Sequence, residues 1–187
     1  MTRLVLVRHG ETEWNREGRW MGQTDVPLND KGLAQAEAAA QSLRGQPLEA
    51  IYSSDLLRAR QTAEALARAT GAAIVLDRRL REVAQGEWEG QLTTWIQEAH
   101  GDLLTRRRIE PLDAAAPGGE SVRQVQRRLF PLLDEIARRH PHGRVAIVSH
   151  GALLAIAKVH LLGLPLETVW DQEPEHASPE EFSLEVE

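Results

Sequence analysis

No cysteine occurs in the 187-residue chain. That removes a disulfide framework, a thiolate zinc site, an iron–sulfur cluster and a thiol nucleophile together. A basic surplus is also missing. Lysine and arginine number 22 against 28 aspartates and glutamates, a net charge of −6, which disfavours a general nucleic-acid binder. No apolar run approaches the ~18 residues of a membrane span. The N-terminal one, Leu4 to Val7, is too short for a signal peptide and stops at Arg8. A soluble cytoplasmic protein that binds neither nucleic acid nor membrane is the expectation. What is present is an ordinary globular balance, 42% apolar and 27% charged, enough for a sizeable core in a single domain over 1–187.

Leu4 to Val7 reads as a strand buried on both faces, followed abruptly by the polar set Arg8-His9-Gly10-Glu11-Thr12. A loop rich in turn residues, with one helical turn, leads to a helix capped by Asn29 or Asp30, with Leu33, Ala36, Ala40 and Leu43 on its apolar face. Ala50 to Ser53 reads as a second strand, and Ser54 or Asp55 as the N-cap of a helix running to about Thr70. Ala73 to Leu76 is a third strand. Periodicity then weakens over an excursion, 82–119, expected to lie as a flap over one face. Ser121 caps a strong helix with Val122, Val125, Leu129, Leu132 and Ile136 on one side, and Pro131 inside it is expected to bend or split it. A fourth strand, Arg144 to Val148, runs through Ser149-His150-Gly151 into an apolar helix, and Phe182 to Val186 reads as a final edge strand. Strands alternating with helices give an α/β fold, a three-layer α/β/α sandwich around a mostly parallel sheet.

Ligands in open α/β sheets bind beyond the carboxyl ends of parallel strands. Arg8 and His9 follow the first strand, Arg58 lies in the first turns after the second, and His150 follows the fourth. Two histidines and two arginines at one rim form an anion site on charge alone. Helix N-termini near Asp55 and Gly151 would add backbone donors. His9 and His150 stand apart from the other five histidines because each ends a buried strand and precedes glycine. His100, His140, His142, His160 and His176 read as structural or solvated.

Leu6-Val7-Arg8-His9-Gly10-Glu11-Thr12 resembles the signature of the histidine phosphatase superfamily, also called phosphoglycerate-mutase-like. The resemblance continues in order through Asn15 and Asp25-Val26-Pro27-Leu28, Ser53-Ser54-Asp55-Leu56-Leu57-Arg58-Ala59-Arg60-Gln61-Thr62-Ala63, Leu80-Arg81-Glu82 with Gly86-Glu87-Trp88-Glu89-Gly90, Gly118-Gly119-Glu120-Ser121 and Ser149-His150-Gly151. It implies a phosphoglycerate-mutase-like fold and a metal-independent reaction without cofactor. His9 would be the nucleophile, Arg8, Arg58 and protonated His150 the charges around the phosphoryl oxygens, and Glu82 the general acid and base. Asn15, Gly22 and Gly151 would complete the phosphate cradle. General acid chemistry alone ranks Glu82, Glu87 and Glu89 equally, and the resemblance selects Glu82.

The compact chain and its acid loop resemble the phosphatase branch, similar to broad-specificity and α-ribazole phosphatases. The expected function is hydrolysis of a small phosphorylated metabolite through a phosphohistidine. A cofactor-dependent phosphoglycerate mutase and a non-catalytic phospho-ligand-binding module are the alternatives. Trp20, Trp88 or Trp95 could wall a substrate pocket, and Arg106-Arg107-Arg108 could steer a second anionic group. Core filling and a solvated face are the plainer explanations. A homodimer is suggested by base rate alone.

Overall fold

The computed structural model describes residues 1–185; Val186, the last residue of the expected terminal strand, and Glu187 lie outside the described residues. Strands β1 (Thr2–Arg8), β2 (Ala50–Ser53), β3 (Ile74–Leu76), β4 (Arg144–Ser149) and β5 (Glu180–Leu184) form one sheet in the order β3-β2-β4-β1-β5. Every pairing is parallel except that of β5, which runs antiparallel to β1 at one edge. Alternation along the strands divides the core into two layers. Leu4, Leu6, Tyr52, Val145 and Ile147 face α5 (Val122–Arg139) and α6 (Gly151–Leu162). Val5, Val7, Ile51, Ala146 and Val148 face α2 (Asp30–Ser42) and α3 (Leu57–Thr70). The architecture is the expected α/β/α sandwich, with its polar strand ends gathered at the carboxyl edge.

Local signals mostly give the elements that form. Asn29 caps α2 by accepting from the Gly32 amide at 2.8 Å, and Ser121 caps α5 within a capping box completed by Gln124. The single expected turn in the first loop is α1 (Glu13–Glu17), where Thr12 and Asn15 form a second capping box.

Three expectations need correction. Leu33 is 44% exposed rather than part of the buried face, which Ala36, Ala39, Ala40 and Leu43 supply. Helix α3 begins one residue beyond Leu56, not at Ser54 or Asp55. Its Leu57 amide donates instead to Asp25 Oδ1 at 2.7 Å, so the cap comes from the first loop, while Asp55 pairs with Arg81. Finally, α5 runs unbroken through Pro131. Pro131 and Arg127, whose carbonyl loses its partner, both lie on the exposed side, where water can bond that oxygen. The buried row Leu129, Leu132, Leu133 and Ile136 holds the two halves in line.

The excursion contains a 17-residue helix, α4 (Thr93–Ile109), which departs from helical geometry at His100. Trp88, Ile96 and Ala116 make a small core of their own, against which Trp20 packs. The 3-10 segment Leu166–Asp171 touches both α6 and α4. Among the described residues no helix is long and apolar enough to cross a membrane.

Candidate active site

At the carboxyl edge of the sheet lies a cavity of about 510 Å³ whose lining includes Arg8, His9, Asn15, Gly22, Arg58 and Glu82. His9 is buried directly after β1, where its backbone amide still bonds to Ser149. Its Nδ1 lies 2.7 Å from the Gly10 carbonyl oxygen. A carbonyl only accepts, so Nδ1 carries the proton and Nε2 keeps its lone pair. Burial, then Arg58 and Arg8, hold the ring well below the ordinary histidine value, so it is neutral at neutral pH.

Three cationic or potentially cationic groups lie near the His9 ring. Arg58, fully buried near the start of α3, donates from Nε to His9 Nε2 at 3.3 Å. Its other nitrogens donate to the carbonyls of Thr24 and Gly22, both at 2.8 Å. Burial pushes its guanidinium down to about 10, which leaves it charged at neutral pH. Arg8 donates from Nη1 to the Pro174 carbonyl at 3.0 Å and stands 3.6 Å from Glu173, while its Nε is buried and unpartnered among the described residues. His150 lies edge-on to His9, with ring centroids 5.2 Å apart. Its Nε2 meets the Ser54 hydroxyl at 2.8 Å, and its Nδ1 is buried and unpartnered among the described residues. His150 is not held protonated as expected. Burial first, then Arg58 and His9, push it well below the ordinary value.

Glu82 stands at the N-terminus of α6, its carboxylate accepting from the amides of Val83 at 2.8 Å, Leu153 at 3.0 Å and Ala152 at 3.2 Å. The helix end therefore holds an acidic side chain, and the donors expected there for a phosphate are largely taken. The three candidate acids have separated. Glu82 lines the cavity and Glu87 is exposed. Glu89 ties loops together through the amides of Gln23 and Gln85 and the Thr24 hydroxyl.

Asn15 uses its amide oxygen on Thr12, which leaves its NH2 group for the cavity. Gly22 faces Arg58 with its carbonyl and has φ of +50°. Gly151 acts behind the wall: a Cβ there would stand 2.6 Å from Glu173 Oε2 and 3.0 Å from Arg8 Cζ. Gly10 and Gly32 pack backbone to backbone. A Cβ on Gly10 would overlap the Gly32 carbonyl oxygen, and one on Gly32 would overlap that of Glu11.

Several participants escaped the sequence reading. His176, read as structural or solvated, sits 5.5 Å from His9 between ring centroids and bonds the His9 carbonyl oxygen through Nδ1 at 2.8 Å. Arg128 donates to the carbonyls of Arg79, Arg81 and Glu82 and pairs with Glu120, clamping the loop that carries the acid. Of the tryptophans, Trp20 lines the cavity, Trp88 is fully buried, and Trp95 is exposed. Trp170 joins the wall without having been singled out. Among the described residues no three His, Asp or Glu side chains gather as a metal-ligand set.

The sequence profile of the histidine phosphatase superfamily (branch 1) matches residues 4–185. The chain belongs to that superfamily. Among relatives of this histidine phosphatase, phosphoserine phosphatase 1 of Hydrogenobacter thermophilus is 35% identical over 178 residues, covering 95% of this chain and 84% of the relative. A probable phosphoglycerate mutase of Cronobacter sakazakii is 39% identical over 166 residues, covering 88% and 77%. The structure of mycobacterial glucosyl-3-phosphoglycerate phosphatase with VO3 superposes with a TM-score of 0.88 at 38% identity, covering 97% of this chain and 90% of that one.

Proposed function

We propose that this histidine phosphatase hydrolyses a small phosphomonoester in two displacements through a phosphohistidine on His9. The observation that carries this reading is the neutral His9 ring, its Nε2 unprotonated beside the Arg58 guanidinium at the wall of a cavity that also holds Glu82. In the first displacement the Nε2 lone pair forms the N–P bond as the ester P–O bond breaks. Glu82, in its protonated form, gives its proton to the departing alkoxide. Glu82, now a carboxylate, takes a proton from water as the water oxygen attacks phosphorus, and the N–P bond breaks to return neutral His9 and inorganic phosphate.

Arg8, Arg58 and the Asn15 amide suit the non-bridging oxygens, because phosphoryl transfer depends mainly on placement and charge stabilisation. Two of the buried unpartnered nitrogens among the described residues, Arg8 Nε and His150 Nδ1, flank His9 and are donors that a phosphoryl group would satisfy. A bound dianion would also favour the protonated form of His150.

The test is phosphate release from a panel of monoesters with and without EDTA, together with trapping of labelled enzyme by an alkaline detergent quench. The expected result is EDTA-insensitive turnover and an acid-labile, base-stable phosphoenzyme, both absent in His9→Ala. Undiminished turnover by His9→Ala would falsify the mechanism. Interconversion of 2- and 3-phosphoglycerate faster than phosphate release would assign the same site to a mutase, the reading to which the Cronobacter relative's name points.

A further inference from the structure

Thr62 is fully buried on α3, one turn beyond Arg58, and does not line the catalytic cavity. Its hydroxyl donates to the Arg58 carbonyl at 2.9 Å, an ordinary bond from a helical threonine to the residue four places back. The less ordinary partner is the Gly10 amide, 52 residues away, which donates to the same oxygen at 3.1 Å. A hydroxyl has one proton to give and lone pairs to accept with, so both bonds coexist. Followed onward, these bonds return to the nucleophile. The Gly10 carbonyl accepts from His9 Nδ1 at 2.7 Å, and Arg58 Nε donates to His9 Nε2 at 3.3 Å. Each nitrogen of the His9 ring is thus held by a residue bonded to Thr62. The His9–Gly10 peptide is also gripped at both ends, its N–H by Thr62 and its carbonyl by His176 Nδ1 at 2.8 Å. Gly10 is buried against the Gly32 main chain, so an amide deprived of the hydroxyl regains a partner only by tilting.

We propose that Thr62 is a positioning residue for phosphoryl transfer: its hydroxyl locks the peptide after His9 to the helix turn that carries Arg58. The attacking nitrogen and the cation beside it then share one frame. The proposal rests on His9 as the nucleophile. Without the hydroxyl the Gly10 amide tilts, and the carbonyl that holds Nδ1 shifts with the chain. The ring becomes free to carry its proton on Nε2 instead. In that tautomer Nε2 has no lone pair for phosphorus and turns an N–H against the Arg58 donor. Arg58 keeps its bonds to the carbonyls of Thr24 and Gly22. Arg8 is held by Pro174 and Asn15 by Thr12, so the groups that bind phosphate stay in place. Rate suffers and affinity does not.

The experiment compares Thr62→Val, which keeps the shape and loses the hydroxyl, with Thr62→Ser, which does the reverse. The readouts are the nitrophenolate burst from p-nitrophenyl phosphate, calorimetric binding of inorganic phosphate, and the 15N shifts of the His9 ring. In Thr62→Val the burst rate is expected to fall at least about tenfold, the scale of a small misplacement of a reacting group. Phosphate affinity should stay at the wild-type value, and the 15N shifts should move toward the tautomer protonated on Nε2. Thr62→Ser should restore both rate and shifts. A Thr62 that merely packs predicts the opposite order, with the serine variant impaired and the valine variant normal. A wild-type burst and wild-type shifts in Thr62→Val would overturn the proposal. Equal losses of rate and phosphate affinity would overturn it too, as damage to the whole site. Thr62→Ala is read in the same way if the valine variant does not fold. If the wild type releases no nitrophenolate, the reaction assignment fails instead, and the His9 shifts decide the positioning role: moved in Thr62→Val they sustain it, and unmoved they overturn it.

Discussion

The hydroxyl of Ser54 lies 2.8 Å from Nε2 of His150, deep in the floor of the site. Ser54 Oγ also accepts from the Leu56 amide at 3.3 Å, and among the described residues its own proton finds no acceptor other than the imidazole. Nε2 is then the acceptor, and the proton of neutral His150 sits on Nδ1, the nitrogen without a partner among the described residues. Ser54 thus acts as a positioning residue that presents an N–H donor. Ser54→Ala is expected to lower kcat/KM roughly tenfold, about 1.4 kcal/mol, and to change the 15N shifts of the His150 ring toward a mixture of tautomers. Ser54→Thr should restore both. Wild-type 15N shifts in Ser54→Ala would remove this role.

A second prediction concerns pH and stability. Burial pushes His9, His150 and His176 below the ordinary histidine value. Below about pH 6.5 the unfolded chain binds protons that the folded chain refuses. Stability therefore falls as pH drops, by up to about 1.4 kcal/mol per pH unit for each ring. Urea unfolding at pH 7.5, 6.5 and 5.5 should show this decline. The double variant His9→Gln, His150→Gln should show a shallower one, whatever its stability at pH 7.5. An identical slope in both proteins would count against neutral buried rings.

A third prediction addresses the acid loop. Arg128→Met removes the donor shared by the carbonyls of Arg79, Arg81 and Glu82. The side chain is partly exposed, so water replaces some of what is lost, and a destabilisation of about 2 kcal/mol is expected. The catalytic signature is more specific. Loss of kcat should be severe for alkyl phosphates and slight for p-nitrophenyl phosphate, whose phenolate leaves without a proton. Equal losses on the two ester types would show that Arg128 does not act through Glu82.

Much of this site was legible in the chain because its members stand at strand ends. A buried apolar run that stops at Arg8-His9-Gly10, and another that stops at Ser149-His150-Gly151, locate the sheet's carboxyl edge without any pairing information. Helix α5 was equally plain, since its buried positions recur at helical spacing behind a capping serine. Ser54 was misread because a hydroxyl before a helix looks like a cap whether it turns toward the helix amide or toward a histidine 96 residues away. The cap of α3 was unreadable for the converse reason: Asp25 supplies it from a distant loop. Three adjacent arginines look alike until α4 docks and leaves one inside. Glu173 carried no local pattern, and only the return of the chain after the 3-10 segment Leu166–Asp171 brings it to Arg8.

The seating of Gly10 on Gly32 sets a boundary for anyone who would evolve this enzyme toward new esters. No rotamer can relieve a collision between two main chains, so libraries that randomise the segment after β1 should hold both glycines fixed. Diversity is better invested in the wall formed by Trp20, Trp170 and α4, where side chains meet the cavity and selectivity can drift without unseating the nucleophile.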